Sequence, residues 1–300
     1  MNSEDSTSVR HRAEIAAGDR FEFGKNWQRF LETVDEKSIL RAEESLTKKL
    51  GLPALQGRSF LDVGSGSGLF SLAARRLGAK VHSFDYDSES VGCTRELRSR
   101  YFGDDSQWRV EQGSVLDRPY VEKLGRFGVV YSWGVLHHTG AMWTALENVS
   151  IAVEDGGLLF IAIYNDQGKP SRRWTRVKVA YNRLPPSLRF LVLWPGFVVL
   201  WWRRLLKDLL SLKPLRTWRH ELNRGMSPWH DVVDWVGGYP FEVAKPDEIF
   251  RFFRDKGFHL VEMATQAGDL GCNEFVFVKQ SAGSDKAALT QTPRTNPTGS

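Results

Sequence analysis

An α/β fold on a mostly parallel sheet is what this 300-residue sequence predicts, and three observations predict it. Short apolar runs alternate with longer amphipathic ones between residues 59 and 163, the pattern of strands joined by crossover helices. The run Phe60-Leu-Asp-Val-Gly-Ser-Gly-Ser-Gly-Leu-Phe70 reads as a buried strand, a glycine loop and the start of a helix. Near the end, Phe258–Thr265 and Asn273–Lys279 read as two strands joined by Gly268-Asp-Leu-Gly271, an antiparallel hairpin.

Phe21 to Leu50 reads as helical, with Trp27, Phe30, Leu31, Val34, Ile39, Leu46 and Leu50 near a 3.6-residue period. Gly51, Pro53 and Gly57 break it before the first strand. Strands are then predicted near 59–63, 80–85, 108–112, 127–132 and 157–163, and helices near 68–78, 88–101, 118–124 and 141–153. A further helix is expected from Pro246, a residue suited to a first helical turn, to Lys256. With the hairpin, the sheet has seven strands.

The glycine loop carries the first chemistry. Its spacing is G-x-G-x-G at Gly64, Gly66 and Gly68, whereas a dinucleotide fingerprint needs glycine at the position of Leu69. Asp62 stands just before the loop, where a carboxylate repels a pyrophosphate but suits a ligand bearing an ammonium group. Asp85 ends the second strand, placed to accept hydrogen bonds from ribose hydroxyls. A nucleoside cofactor with an ammonium group fits both acids, and S-adenosyl-L-methionine (SAM) is one.

The order of Leu61-Asp-Val-Gly-Ser-Gly-Ser-Gly68, Phe84-Asp85, Gln112-Gly-Ser-Val-Leu-Asp117, Phe127-Gly-Val-Val-Tyr131, Val135-Leu-His-His138 and Gly156-Gly-Leu-Leu-Phe160 resembles the class I SAM-dependent methyltransferases. The subgroup it looks most like is the small-molecule enzymes that include the ubiquinone-biosynthesis O-methyltransferases. The resemblance implies a Rossmann-like sheet, SAM as cofactor, and cofactor contacts at Asp62, Gly64, Ser65, Gly66, Gly68, Asp85, Tyr86, Ser114, Val115 and Trp133. Trp133 also reads as a core residue. Gly128 departs from the family, which commonly has Asp there.

Methyl transfer to a hydroxyl calls for orientation and a general base, and His137 and His138 are the candidates on the loop after the fourth strand. Packing alone is the competing reading. His138 matches the histidine of the ubiquinone-pathway pattern Glu-x-x-Glu-His, which here reads Gly134-x-x-His137-His138. Both carboxylates are missing, so no metal is expected. His230 and Asp231, in the polar-aromatic run Trp229–Phe241, are further candidates for base or substrate contact, or else a surface turn. Tyr164 and Asn165 at the fifth strand's end are expected on the substrate side, with Trp27 over the cofactor.

Composition divides the chain. Between Pro170 and Arg224 stand thirteen Lys or Arg against two acids, Asp208 and Glu221, together with five of the eleven tryptophans. Residues 166–242 therefore read as a basic, Trp-rich helical insertion into a catalytic domain of residues 16–165 and 243–280; residues 1–15 and 281–300 are expected to be disordered. Phe190–Trp202 is uncharged, interrupted by Pro195-Gly196, and too short to span a bilayer. It suits a lid over a lipophilic substrate or a peripheral contact with anionic membrane, with an ordinary packed cap as the alternative. Two cysteines, Cys93 and Cys272, and a polar start to the chain point to a reducing cytoplasm. The expected activity is methylation of a hydrophobic small molecule at oxygen. Methylation of RNA, DNA or protein through the basic insertion is the second reading, though no nucleic-acid module is present, and a non-enzymatic SAM-binding protein is the third.

Overall fold

A computed structural model describes residues 3–210 and 228–281. Its sheet contains β1 (Ser59–Val63), β2 (Lys80–Asp85), β3 (Trp108–Gln112), β4 (Phe127–Trp133), β5 (Val153–Tyr164), β6 (Phe258–Ala264) and β7 (Cys272–Lys279). The spatial order is β3-β2-β1-β4-β5-β7-β6. Strands β1 to β5 are parallel, and β7 runs antiparallel to both β5 and β6. The winding reverses between β1 and β4, which opens a crevice at their carboxyl ends.

The period-two alternation of the strands sorts the core onto two faces. Phe60, Val129, Phe160 and Val276 point one way. They pack with Leu46 of α3 (Glu36–Leu50), Leu72 of α4 (Leu69–Arg76) and Leu97 of α5 (Ser88–Phe102). Their neighbours Leu61, Val130, Ile161 and Phe275 point the other way. Against these lie Val121 of α6 (Arg118–Leu124), Leu146 of α7 (Met142–Ile151) and Phe253 of α11 (Pro246–Arg254). The insertion has its own small core. Tyr181 of α8 (Lys169–Arg183), Leu193, Phe197 and Trp201 of α9 (Phe190–Leu210), and Val232 and Val236 of α10 (Pro228–Gly237) enclose Phe21.

Four expectations are corrected. Residues 3–16, expected to lack order, form helix α1, which has no apolar stripe and is held by polar contacts: Ser8 Oγ donates to Gln112 Oε1 at 2.7 Å, and the His11 ring meets Tyr86 edge-on at 5.1 Å. Phe21–Leu50 is two helices, α2 (Phe23–Leu31) and α3, because Asp35 turns the chain and accepts from the Ser38 N–H at 2.8 Å as an N-cap. Strand β5 begins at Val153, inside the expected helix, where Val153 pairs with Phe127 ahead of a bulge. Helix α9 runs unbroken through Pro195, since burial of Leu193, Phe197 and Trp201 on one face outweighs the single missing backbone bond. The expectations for residues 211–227 and 282–300 lie outside the described residues.

Candidate active site

A cavity of about 1060 Å³ opens above the carboxyl ends of β1, β2 and β4. Its floor is the loop between β1 and α4. Gly64 has φ +76°, and a Cβ there would stand 2.3 Å from Val135 Cγ1, so loop and β4 turn touch backbone to side chain. Gly66 has φ +55° and lies under the Trp27 indole, 3.0 Å from where a Cβ would be. Asp85 fixes this shape: its carboxylate accepts from the N–H of Gly66 and of Asp87, each at 2.9 Å. Burial, then the nearby Asp87 charge, push Asp85 up to about 7.

Asp62 is buried at the foot of the loop. Among the described residues its one hydrogen-bond partner is Ser71 Oγ, at 2.5 Å. Ser71 contacts Ser83 Oγ at 2.7 Å, and Ser83 accepts from Trp108 Nε1 at 2.9 Å, so a buried polar chain crosses the sheet. Burial pushes the Asp62 carboxyl up to about 7; the Ser71 bond opposes this and Asp85 adds to it. No cation among the described residues pairs with it, which leaves a buried carboxylate facing a cavity with room for an ammonium group. Ser65, Tyr86, Ser114, Val115 and Trp133 also line the cavity. Ser114 Oγ accepts from Leu116 N–H at 3.2 Å, the Val115 carbonyl accepts from Asn148 Nδ2 at 2.8 Å, and Trp133 Nε1 donates to Glu274 Oε1 at 2.8 Å.

The cavity's other end is walled by Phe21, Phe23, His138, Tyr164, Asp234 and Trp235. His138 Nδ1 lies 2.6 Å from the Pro240 carbonyl oxygen. A carbonyl only accepts, so Nδ1 carries the hydrogen and Nε2 keeps its lone pair. Burial, then the positive charge of Lys178, hold His138 down to about 3, and the Pro240 bond opposes them only in part. The ring sits 4.9 Å from Phe23 and 5.4 Å from Tyr164, centroid to centroid.

Several candidates fall elsewhere. Gly68 does not line the cavity; a Cβ there would be 2.9 Å from Thr94 Cα, so its role is close packing of the loop on α5. His137 is fully buried behind His138, where its Nδ1 accepts from the Tyr164 N–H at 3.3 Å. Asn165 donates to the Asp269 carbonyl at 3.3 Å and accepts from Asn273 Nδ2 at 3.1 Å, tying the β6–β7 hairpin to the end of β5. His230 and Asp231 lie in the first turn of α10, and their side chains are outside the described ones. One turn further along the same helix, Asp234 and Trp235 reach the cavity, with Asn26 Nδ2 hydrogen-bonded to Asp234 Oδ1.

Sequence reasoning also missed a roof and a buried cation. Arg20 donates to Glu14 Oε2 at 2.7 Å and to the His138 carbonyl at 3.0 Å, and its guanidinium lies 4.9 Å above the Tyr86 ring. Lys178 is fully buried under Trp235 and Phe241, 4.9 and 4.6 Å from their ring centres, with Nζ bonded to the Trp235 carbonyl. Burial lowers it to about 7, and Asp234 opposes the shift. Neither Arg20 nor Lys178 belongs to a local motif, so nothing near them in sequence marks them.

The sequence profile of a methyltransferase domain matches residues 30–230. The chain belongs to the methyltransferase family. SAM is its cofactor, and Asp62, which pairs with no cation among the described residues, and the Asp85-pinned glycine loop fit that molecule's ammonium and ribose. The ubiquinone biosynthesis O-methyltransferase of Xanthomonas campestris pv. campestris is 35% identical over 112 residues, 37% of this chain and 45% of that protein. The ribosomal protein L11 methyltransferase of Helicobacter hepaticus is 36% identical over 66 residues, 22% of this chain and 20% of that protein. The chain thus spans less than half the length of these curated relatives. Among solved structures, magnesium protoporphyrin IX methyltransferase from Synechocystis PCC 6803 with bound SAM superposes with a TM-score of 0.51 at 11% identity, covering 93% of this chain and all of that one. That likeness shares the fold. In the described residues no group of three or more His, Cys, Asp or Glu could hold a metal ion.

Proposed function

We propose that this chain methylates an oxygen of a hydrophobic small molecule, with His138 as the group that orients the acceptor hydroxyl and takes its proton. The observation that carries the reading is the His138 ring itself: neutral, locked by Pro240, and set in an aromatic wall across the cavity from the glycine loop. Asp62 and Asp85 would hold SAM, which would supply an electrophilic methyl group on a sulfonium. Phe21, Phe23 and Trp235 take up an apolar ring and exclude water. His138 Nε2 accepts the hydrogen bond from the hydroxyl and fixes its direction. A phenol, pKa about 10, gives up the hydroxyl proton more readily than a far less acidic aliphatic alcohol, and its ring suits the aromatic wall.

His138→Ala should lower turnover of a phenolic acceptor by roughly 10²–10⁴-fold with SAM affinity unchanged. Turnover in the wild type should show no limb near the ordinary histidine pKa of about 6.5, since His138 is already neutral there. Normal turnover in the variant, measured with labelled SAM, would remove His138 from the chemistry.

A further inference from the structure

Helix α9 is apolar on both sides; among the described residues one side is buried and the other is about half exposed. Leu193, Phe197 and Trp201 face the insertion's core and are buried. Phe190, Trp194, Val198, Trp202 and Leu206 follow one another at intervals of four on the opposite side and are 51%, 55%, 52%, 50% and 44% exposed. Leu191 and Val199 widen this stripe. A contiguous exposed apolar face of this kind marks an interaction surface.

Charge identifies the occupant. From Gln167 to Lys207 the sequence has no Asp or Glu and ten Lys or Arg. On α8, against which α9 packs, Lys169, Arg172, Arg173, Arg176 and Arg183 are all exposed. An apolar stripe with two half-exposed tryptophans beside a strongly cationic segment matches the boundary between acyl chains and anionic headgroups. A second copy of the chain fits less well, because pairing two α9 faces would bring two strongly cationic segments together. RNA fits less well too, since Val198 and Leu206 between and after the tryptophans offer bases nothing to stack on. No helix among the described residues is long and apolar enough to cross a membrane, so the helix would lie along the surface.

We propose that the outer face of α9 docks this protein on an anionic lipid bilayer. The same helix touches the acceptor wall from behind: a Cβ on Gly196 would lie 2.8 Å from Val236 of α10, the helix that carries Asp234 and Trp235 into the cavity. Docking therefore sets the acceptor end of the cavity next to a lipid phase. The proposal concerns binding and holds whatever the acceptor atom.

The test is sedimentation of the full chain with vesicles of phosphatidylcholine alone or mixed with phosphatidylserine. Engagement of two or three basic side chains, at about 1 kcal/mol each, predicts a preference of roughly 30–150-fold for the anionic vesicles. Raising salt from about 0.1 M to 1 M, which shortens the screening length from about 10 Å to 3 Å, should remove that preference. Val198→Ser with Trp202→Ser should weaken binding to the anionic vesicles by roughly ten-fold or more through lost apolar burial, and SAM binding by calorimetry should be unchanged. Arg172→Glu with Arg173→Glu, which disturbs no packing, should abolish the anionic preference. Several results would overturn the proposal. They are no association with either vesicle by protein that still binds SAM, association indifferent to both double substitutions, a dimer that the serine substitutions dissociate, or salt-sensitive capture of RNA without capture of vesicles.

Discussion

Replacing Lys178 by methionine tests the electrostatics of the cavity's aromatic end. The side chain is fully buried, its amine held by a backbone carbonyl and three aromatic rings, Tyr164, Trp235 and Phe241. Its pKa falls from 10.5 to about 7, with burial as the main cause. A depressed lysine pKa means that the unfolded chain holds the proton more tightly than the folded one, so the group costs stability below the unfolded value and the cost grows as pH falls. The full cost, reached below about pH 7, is about 5 kcal/mol; about 4 remains at pH 7, about 2 at pH 9, and almost none above 10.5. Methionine keeps the stem's volume and removes the charge. Its packing and lost hydrogen bond contribute an offset that does not vary with pH. The stability difference between variant and wild type, from denaturant unfolding, should therefore narrow by about 2 kcal/mol between pH 7 and pH 9. The same substitution should raise the pKa of His138, followed by its ring-proton NMR signals, because the Lys178 charge, after burial and ahead of the Arg20 charge, is one of the three causes that hold it down. A stability difference that stays constant across this range, together with an unmoved His138, would refute the picture of a charge-bearing lysine buried behind the site.

Asp85→Ala removes the acceptor for two backbone N–H groups as well as the ribose contacts, so calorimetry should show SAM binding weakened by roughly 1.5–3 kcal/mol for each charge-assisted bond lost. Gly64→Ala puts a methyl group 2.3 Å from Val135 Cγ1 at a positive φ, and should lower stability by roughly 1–3 kcal/mol. Val135→Ala should return part of that loss in a double-mutant cycle, and strict additivity of the two would show that they do not meet.

What the sequence revealed was what it encodes locally. The glycine loop, Asp62 and Asp85 lie within one strand–loop–helix–strand unit, and their spacing alone brings them to one crevice. Strand alternation likewise marked both faces of the sheet. Contacts between distant segments left no such trace: helix α1 is placed by bonds such as Ser8 to Gln112, and its polar composition resembles that of an unfolded tail. His137 and His138 are neighbours on a single 3₁₀ turn, Leu136–His138, and only three-dimensional placement sends one to the cavity and the other to the Tyr164 amide. In α9 the apolar residues run all round, so periodicity could not say which half is covered. The run Trp229–Phe241 reads in sequence as a polar-aromatic cluster or a surface turn; most of it forms α10, and the residues that reach the cavity, Asp234 and Trp235, sit a turn beyond His230 and Asp231.

The insertion leaves and rejoins the sheet at one point. Asn165, just after β5, forms a parallel bridge with Ala244; the Ala244 N–H donates to the Tyr164 carbonyl at 3.0 Å, and the Asp166 N–H donates back to the Ala244 carbonyl at 3.2 Å. Because the bridge is made by backbone alone, whatever chain lies between its two ends can change in length and composition while the strands beneath keep their register. Evolution can thus exchange the segment that brings Asp234 and Trp235 to the cavity without rebuilding the glycine loop, while Phe21, Phe23, His138 and Tyr164 stay in place. A protein engineer can do the same, splicing another enzyme's segment between Asn165 and Ala244 to give the same methyl-donating platform a different appetite.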